Sequence, residues 1–324
     1  MKAPRFTKWF AALPALNQPQ RLRVLDALRP AAGLHQVLAL IGLCRSAGRR
    51  CPHCQCERWH RHGHANDLQR YRCFSCRRTF NDLTGTLLAR LRLRGKWLAY
   101  LDALLASRPV RAAAGDVNVH RNTAFRWRHR FLDRVKADRP ECLNGIAEAD
   151  EMFILESQKG SRKLDRPARK RGGVAGRRGI SRELDCILVA RDRNKQTIDA
   201  VTGRGPVSKV QLERHLLPFL DRDVLLVTDA NAAYRAFARA HGLAHQAVNV
   251  SAGERVRPGF HGAIHVQNVN AYHQRLREWL APFHGVASRW LPNYLGWRRM
   301  LDGGKVTSVD QLFRLAIGLI HSER

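Results

Sequence analysis

Acidic residues are scarce in this chain. It carries 27 Asp and Glu against 57 Lys and Arg in 324 residues, a formal net charge of +30, and its pI is near 11.2. Such an excess opposes compaction by self-repulsion and calls for a polyanionic partner, nucleic acid ahead of an anionic membrane surface. Also missing is any uninterrupted apolar run of about 18 residues, so no segment is expected to cross a membrane as a helix. The N-terminal stretch MKAPRFTKWFAALPALNQPQ is basic and then only mildly apolar. Without a long apolar core it does not read as a secretory signal, and a soluble protein of a reducing compartment is expected. No repeat of solenoid length occurs, which excludes stacked-repeat architectures.

With 44% hydrophobic residues the chain can bury real cores, and its length suits two or three domains. Residues 1–48 mix helical patterns with Pro breaks, and QRLRVLDALRPAAGLHQVLALIG reads as one or two amphipathic helices. Residues 49–82 are rich in Cys and His, 83–140 are helical in pattern, 141–302 alternate strands and helices, and 303–324 close on a helix. Within the fourth segment, DCILVARD and QTIDAVTG predict two strands joined by the turn RNK, and SKVQLERHLLPFL predicts a helix. DVLLVTD is a short buried strand, ANAAYRAFARAHG a helix stopped by Gly242, and HVQNVNAYHQRLREWLAPF another helix. The expected architecture is multidomain α+β, with a mixed sheet faced by helices.

Five of the eight cysteines lie within 26 residues, a clustering that suits a metal site better than a disulfide framework. CPHC at 51–54 and CFSC at 73–76 form two CxxC knuckles separated by 18 residues. That is the spacing of a four-cysteine zinc ribbon, with Cys51, Cys54, Cys73 and Cys76 as Zn2+ ligands. Cys56 is an alternative to Cys54. The segment between the knuckles has the character of a β-hairpin, on which His53, His60, His62 and His64 read as solvated cations. So small a segment cannot bury a core, and the ion would fold it. Twelve Lys or Arg against three acids between 49 and 96 suit contact with phosphates, or docking to another module.

SRPVRAAAGDVNVHRNTAFRWRHRFLDRV has helix–turn–helix spacing: a helix over 109–115, a turn at Gly115 and DVN, and a second helix from Val119 to Val135. Ala113, Val119, Phe125 and Phe131 suit the packing positions. Arg121, Asn122, Thr123, Arg126 and Arg128 are left for bases and phosphates, mostly on the first turns, where recognition helices read the major groove.

The segment GIAEADEMFIL, 145–155, sets three acids in an apolar run. As a strand it places Ile146, Glu148, Asp150, Met152 and Ile154 on one face. A carboxylate among apolar neighbours needs a partner. Asp229 ends DVLLVTDA, at a strand C-terminus leading into a helix, the edge where sites gather in α/β sheets. Two carboxylates drawn together from separate strands repel unless a divalent cation lies between them. Two Mg2+ ions so held suit phosphoryl transfer. The other reading pairs Asp150 with one of the many arginines.

CPHC…YRCFSCRRTFNDLTGT, EADEMFI and VTDANAAY, in that order, resemble the DDE transposases of bacterial insertion sequences, in the ISXO-type group, over about residues 45–300. The resemblance implies a zinc ribbon over 49–82, a helix–turn–helix over 83–140 and a ribonuclease-H-like catalytic domain over 141–302 with a mixed five-stranded sheet. The family's third acid stands in a helix reading His-Val-Asn-x-x-Glu, with a basic residue seven positions later. Here HVQNVNAYHQRLREWL puts Asn270 in the Glu slot and Arg277 at the basic position. Some branches of the family carry Asn there. Its amide oxygen can ligate Mg2+ but brings no charge, and His273, one turn on, is a substitute ligand. By resemblance Asp150, Asp229 and Asn270 bind Mg2+ or Mn2+ and Arg277 contacts a phosphate. The element's terminal inverted repeats and target DNA are the substrates, a homodimer assembles on DNA, and the location is cytoplasmic and nucleoid-associated. Two readings follow: an active Asp-Asp-Asn strand-transferase, or a catalytically decayed copy or zinc-ribbon DNA-binding regulator. Only the first needs Asp150 and Asp229 to converge.

Between the first two strands of this domain lies SQKGSRKLDRPARKRGGVAGRRGISR, 157–182, with ten basic residues, one acid and five glycines. It cannot fold alone and is expected to be mobile without DNA and to grip the phosphate backbone through residues such as Arg169, Lys170, Arg171, Arg177 and Arg178. Trp279, Trp290 and Trp297 read as core or docking aromatics.

Overall fold

The computed structural model describes residues 3–318 apart from 47, 171, 250, 251, 254, 255, 260 and 261. Two compact units emerge, Met1–Phe131 with Ser308–Arg324, and Leu132–Thr307.

The first unit opens on helices α1 (Ala3–Ala11) and α2 (Gln18–Ser46). α2 continues unbroken through Pro30, where the sequence invited a stop. A three-stranded antiparallel sheet follows, β1 (Trp59–Ala65), β2 (Leu68–Cys73) and β3 (Thr79–Asn81). β1 and β2 are joined at Asn66 and Asp67, both left-handed (φ 49° and 64°), the pair of conformations a tight hairpin turn requires. Then come α3 (Trp97–Leu105), α4 (Val110–Asp116) and α5 (Arg121–Val135). α5 starts two residues later than its sequence pattern predicts. Trp97, Tyr100, Leu101, Leu104, Trp127 and Phe131 are buried, with Tyr100 and Trp127 edge to face at 5.4 Å.

In the second unit a five-stranded mixed sheet has the order β6-β5-β4-β7-β8. Its strands are β4 (Ile146–Leu155), β5 (Leu184–Asp192), β6 (Thr197–Arg204), β7 (Leu225–Thr228) and β8 (Ala244–Ala247). β4, β5 and β6 are antiparallel neighbours, whereas β7 and β8 run parallel to β4. The helices are α6 (Lys209–His215), α7 (Ala232–His241), α8 (Gln267–Leu280) and α9 (Leu291–Gly303). α6 starts on a capping box between Ser208 and Gln211, and α7 ends on Gly242, left-handed at φ 63°.

Strand alternation sorts the core into two layers. Ala147, Ala149, Leu188 and Leu226 pack with Leu212 of α6 and with Tyr234 and Phe237 of α7. Ile146, Met152, Val189 and Val227 pack with Val269, Tyr272 and Leu276 of α8 and with Leu291 and Leu295 of α9. Trp279, Phe283, Tyr294 and Trp297 form one aromatic cluster, with Trp279 and Trp297 4.9 Å apart. The segment 136–139 is pinned to this core. Arg299 donates to the carbonyls of Lys136 and Asp138, both at 3.0 Å, and Arg139 to that of Asp199 at 2.9 Å. At Gly296 a Cβ would stand 2.4 Å from the Lys136 Cα, so only glycine permits this approach. The final helix α10 (Val309–Ile317) returns to the first unit, where Phe313 lies 6.3 Å from the Trp97 ring.

Candidate functional site

β4 and β7 are neighbours in parallel, and their last paired residues are Ala149 and Thr228. The next residue on β4, and the first beyond β7, is an aspartate. Strand spacing therefore sets the Asp150 and Asp229 backbones about 5 Å apart, two residues nearly eighty positions apart in sequence. Asp229 sits at the β7 exit, where one of its oxygens accepts the Asn231 N–H at 3.0 Å while Asn231 caps α7. Asp150 lies on the α8 side with Ile146 and Met152, as the alternation predicts.

The site is electrostatically loaded. Burial pushes the Asp150 carboxyl up to about 6; the Asp229 charge adds to this, while the Glu151 backbone N–H and Arg277 oppose it. Burial also pushes Glu151, on the opposite face of β4, up to about 7, against the pull of the Tyr234 hydroxyl, which donates to it. His273 approaches Asp150 at 3.6 Å (Nδ1 to Oδ2). Burial and then Arg277 hold this imidazole down to about 4, so it is neutral near pH 7. Its Nε2 is buried and, among the described residues, has no hydrogen-bond partner. Asp150, desolvated and pushed up further by the Asp229 charge beside a neutral imidazole, is a carboxylate that a divalent cation would relieve. Asn270, the residue in the third-acid slot, is exposed on α8 one turn before His273, and its backbone N–H donates to Val266 at 3.1 Å.

Glu148 stands two residues before Asp150 on the same face and is fully buried. One oxygen accepts the backbone N–H groups of Asn268 (2.7 Å) and Val269 (3.0 Å) at the start of α8. The other receives the Asn268 amide (2.9 Å), Arg193 (3.0 Å) and His265 (3.2 Å). Sequence reasoning saw Glu148 on this face but gave it no partner. The paired donors, HVQN at the helix start and Arg193 in a distant turn, are invisible without the fold.

In the first unit, the Sγ atoms of Cys51, Cys54, Cys73 and Cys76 all lie within 4.8 Å of one another. The pairs Cys51–Cys76 and Cys54–Cys73 are 3.6 Å apart, close to the ~3.8 Å edge of a tetrahedron with 2.3 Å metal–sulfur bonds. These four thiols can hold a metal ion, and among the described residues they are the only set of three or more Cys, His, Asp or Glu whose ligand atoms lie so close together; Asp150, Asp229 and His273 do not form one. Gln55 and Arg77, each following a CxxC, are both left-handed (φ 60° and 59°), so the two knuckles repeat one conformation. The backbone N–H of Cys76 lowers the Cys73 thiol below its ordinary value. Cys56 is outside the group, its sulfur accepting the Arg58 N–H at 3.4 Å.

Residues 142–298 match the model of the ISXO2-like transposase domain. A relative from Halobacterium salinarum, described as an uncharacterized protein in transposable element ISH50, is 31% identical over 253 residues, 76% of this chain and 83% of that protein. The chain belongs to the ISXO2-like transposase family. The crystal structure of a pre-cleavage Mos1 transpososome aligns with 65% of this chain and 80% of the other at 16% identity, with a TM-score of 0.21 that carries no argument.

Not all cations assigned to DNA in this ISXO2-like transposase are free to reach it. On α5 the buried positions are Ala124, Trp127, Arg128, His129, Phe131, Leu132 and Val135, a broad helical stripe. Arg128, expected on the DNA side, is fully buried and donates to the Arg108 carbonyl. Phe125, expected inside, is 40% exposed. The helical period explains both corrections: Phe125 and Phe131, six positions apart, fall on different faces, whereas 124, 127, 128 and 131 share one. Arg121, Asn122, Phe125 and Arg126 share the outer face, and Thr123 is half-buried.

In the insertion 157–182, Glu156 is the organising group. Only 3% exposed, it meets Arg166 at 2.8 Å, Arg204 at 3.2 Å and Arg169 at 3.4 Å. Arg169 also reaches Glu183 at 3.6 Å. Arg169 is therefore an internal strut, a correction to its assignment as a phosphate contact, and the segment, whose described residues form no helix or strand, is fastened to the sheet at its base. Lys170, Arg177 and Arg178 are exposed. Arg171 lies outside the described residues.

Proposed function

We propose that this chain cuts DNA at the ends of its insertion element and joins the freed ends to target DNA. The observation that carries the reading is the β4–β7 register, which sets Asp150 beside Asp229 under a helix bearing His273 and Arg277. Asp150, Asp229 and Asn270 would hold two Mg2+ or Mn2+ ions, which when bound supply Lewis acidity to the attacking and leaving oxygens of a phosphodiester. The protein's own share is to bring the two carboxylates together, to exclude water on the α8 side, and to set the exposed Arg277 where it can meet a backbone phosphate. The catalytic unit is read as ribonuclease-H-like, from its mixed five-stranded sheet with helices on both faces.

DNA is the partner that a net charge of +30 suits. We assign the four thiols to structural Zn2+, as a ribbon within 49–82. α4 and α5, within 83–140, form the helix–turn–helix, with Arg121, Asn122, Thr123 and Arg126 facing the duplex and Lys170, Arg177 and Arg178 gripping phosphates. Two subunits would pair two ends. The test is cleavage of a duplex carrying the element's own end, from the sequence flanking its gene, with Mg2+. Asp150→Asn and Asp229→Asn are expected to stop cleavage and leave binding intact. Cleavage at wild-type rate by either variant refutes the site, and binding without cleavage by the wild-type chain favours the DNA-binding regulator instead.

A further inference from the structure

We infer that Glu148 is a positioning residue: by holding the first turn of α8, it sets the helix register over β4 and thereby places His273 and Arg277 at Asp150. The inference rests on the reading of Asp150 and Asp229 as the cleavage centre.

The geometry is a matter of two matched repeats. From Glu148 to Asp150 is two strand residues, about 6.7 Å. From Val269 to His273 is four helix residues, about 6 Å, and one full turn. A helix fastened at Glu148 and Val269 therefore returns a side chain to β4 at Asp150. The observed contacts fall at those two places: Glu148 to the Val269 N–H at 3.0 Å, and Asp150 to His273 at 3.6 Å. One more turn brings Arg277, whose charge acts on both Asp150 and His273. A slip of one residue along α8 would turn its side chains by about 100° and carry His273 away from the carboxylate.

The fastening is charged and many-handed. Its donors come from three separate segments: α8 itself, the residue His265 leading into it, and Arg193 in the turn between β5 and β6. Arg193 also donates to His265 Nε2 at 2.7 Å and to the Ala263 carbonyl at 2.9 Å. His265 Nδ1 lies 3.2 Å from Glu148 and also 3.3 Å from the Gln267 N–H, so the ring is held between the strand and the start of α8. The carboxylate also meets the positive end of the helix dipole. Glu148 thus ties the EADE strand to the start of the helix carrying the remaining site groups. Asn270, fourth residue of that helix, is positioned by the same hold.

Removing the charge while keeping the shape tests this. In the full-length chain, Glu148→Gln is expected to bind the end duplex within about 2-fold of wild type. It should cleave about 10- to 100-fold more slowly, the range usual for groups that orient a metal site's ligands. Because Glu148 acts through α8, its loss and that of His273→Ala should not multiply; the double variant should be within about 3-fold of the slower single one. Glu148→Asp, which restores the charge, should recover part of the rate. Cleavage by Glu148→Gln within about 3-fold of wild type, or losses that multiply in the double variant, would overturn the inference. Asp150→Asn is the control: if it still cuts, the reading of the centre fails, whereas if it is dead and Glu148→Gln is normal, only the positioning role fails. Should Glu148→Gln not fold, Asn268→Ala removes a single donor from the hold. A loss of rate without loss of binding is then expected, and no change in rate overturns the inference.

Discussion

Asp150 should make the metal-free protein less stable than an asparagine in its place. An aspartate moved from its ordinary 3.8 to about 6 costs about 3 kcal/mol to ionise at pH 8. The side chain is 24% exposed, so solvent reduces this to roughly 1–3 kcal/mol. Asparagine has the same shape and nothing to ionise. For the unit Leu132–Thr307, a domain of this size shifts by about 2–4 °C per kcal/mol, so Asp150→Asn should melt roughly 2–12 °C higher in chelator at pH 8. The pH dependence follows from the direction of the shift. The folded state holds this proton more tightly than the unfolded chain does, so the stabilisation it brings is present below about 4 and lost as pH rises through about 6. Variant and wild type should therefore coincide near pH 4 and separate by pH 7. Calorimetry in chelator, then with Mg2+, is the assay. Magnesium should raise the wild type and do little for the variant, reversing the order if the ion binds tightly. A variant that melts below wild type in chelator at pH 8, or gains as much from Mg2+, refutes the claim that these carboxylates are held for a cation.

Cys73→Ser should release zinc from the purified chain, read as metal per chain by atomic absorption; unchanged zinc content refutes the ligand set. Arg126→Ala should weaken binding to the end duplex and lower its salt slope by about 1, whereas Arg128→Ala, at a buried position, should lower the melting temperature. Equal effects of the two on the salt slope would contradict the face assigned to α5. Gly296→Ala reverses an ordinary expectation: alanine in a helix gains about 1 kcal/mol over glycine, yet a Cβ here meets the Lys136 backbone at 2.4 Å. Overpacking of this kind costs about 1–3 kcal/mol, so a urea titration should show net destabilisation.

The strands and helices of the second unit were legible because each carries its own punctuation. Gly242 stops α7, RNK turns β5 into β6, and DVLLVTD is too short and apolar for anything but a strand. Asp150 and Asp229 were legible for the same reason, since one stands mid-strand and the other at a strand exit. The α5 face was not. Arg128 and Phe125 exchange their expected places because the packing positions 119, 125 and 131, spaced by six, do not lie on one helical face, and the basic RNTAFRWRHR run has no polarity contrast to mark the face that is buried. Composition likewise misled at Arg169. A segment with ten basic residues reads as uniformly free, but Glu156, just outside it, draws two of its arginines inward, together with Arg204 of β6.

The groups least visible in sequence are those that let the site exist. A desolvated carboxylate facing a second acid is a local loss, tolerated only where the surroundings over-determine the backbone. Here the frame is built from charges satisfied across long separations. Glu148 holds the start of α8. Arg191 reaches Asp302 at 2.6 Å, and Arg299 binds Asp199, whose other oxygen receives the Tyr272 hydroxyl at 3.3 Å. Tyr272 precedes His273, so the helix is gripped at its first turn and again beside the residue that meets Asp150. Breaking a buried ion pair by removing one partner costs about 3–5 kcal/mol, more than the roughly 1–3 kcal/mol penalty argued above for Asp150. The β4–β7 ladder keeps the aspartates side by side, and with α8 fixed at both points His273 stays against Asp150. The third position of the site can then change chemistry, from an acid to Asn270, while the helix that presents it stays in register.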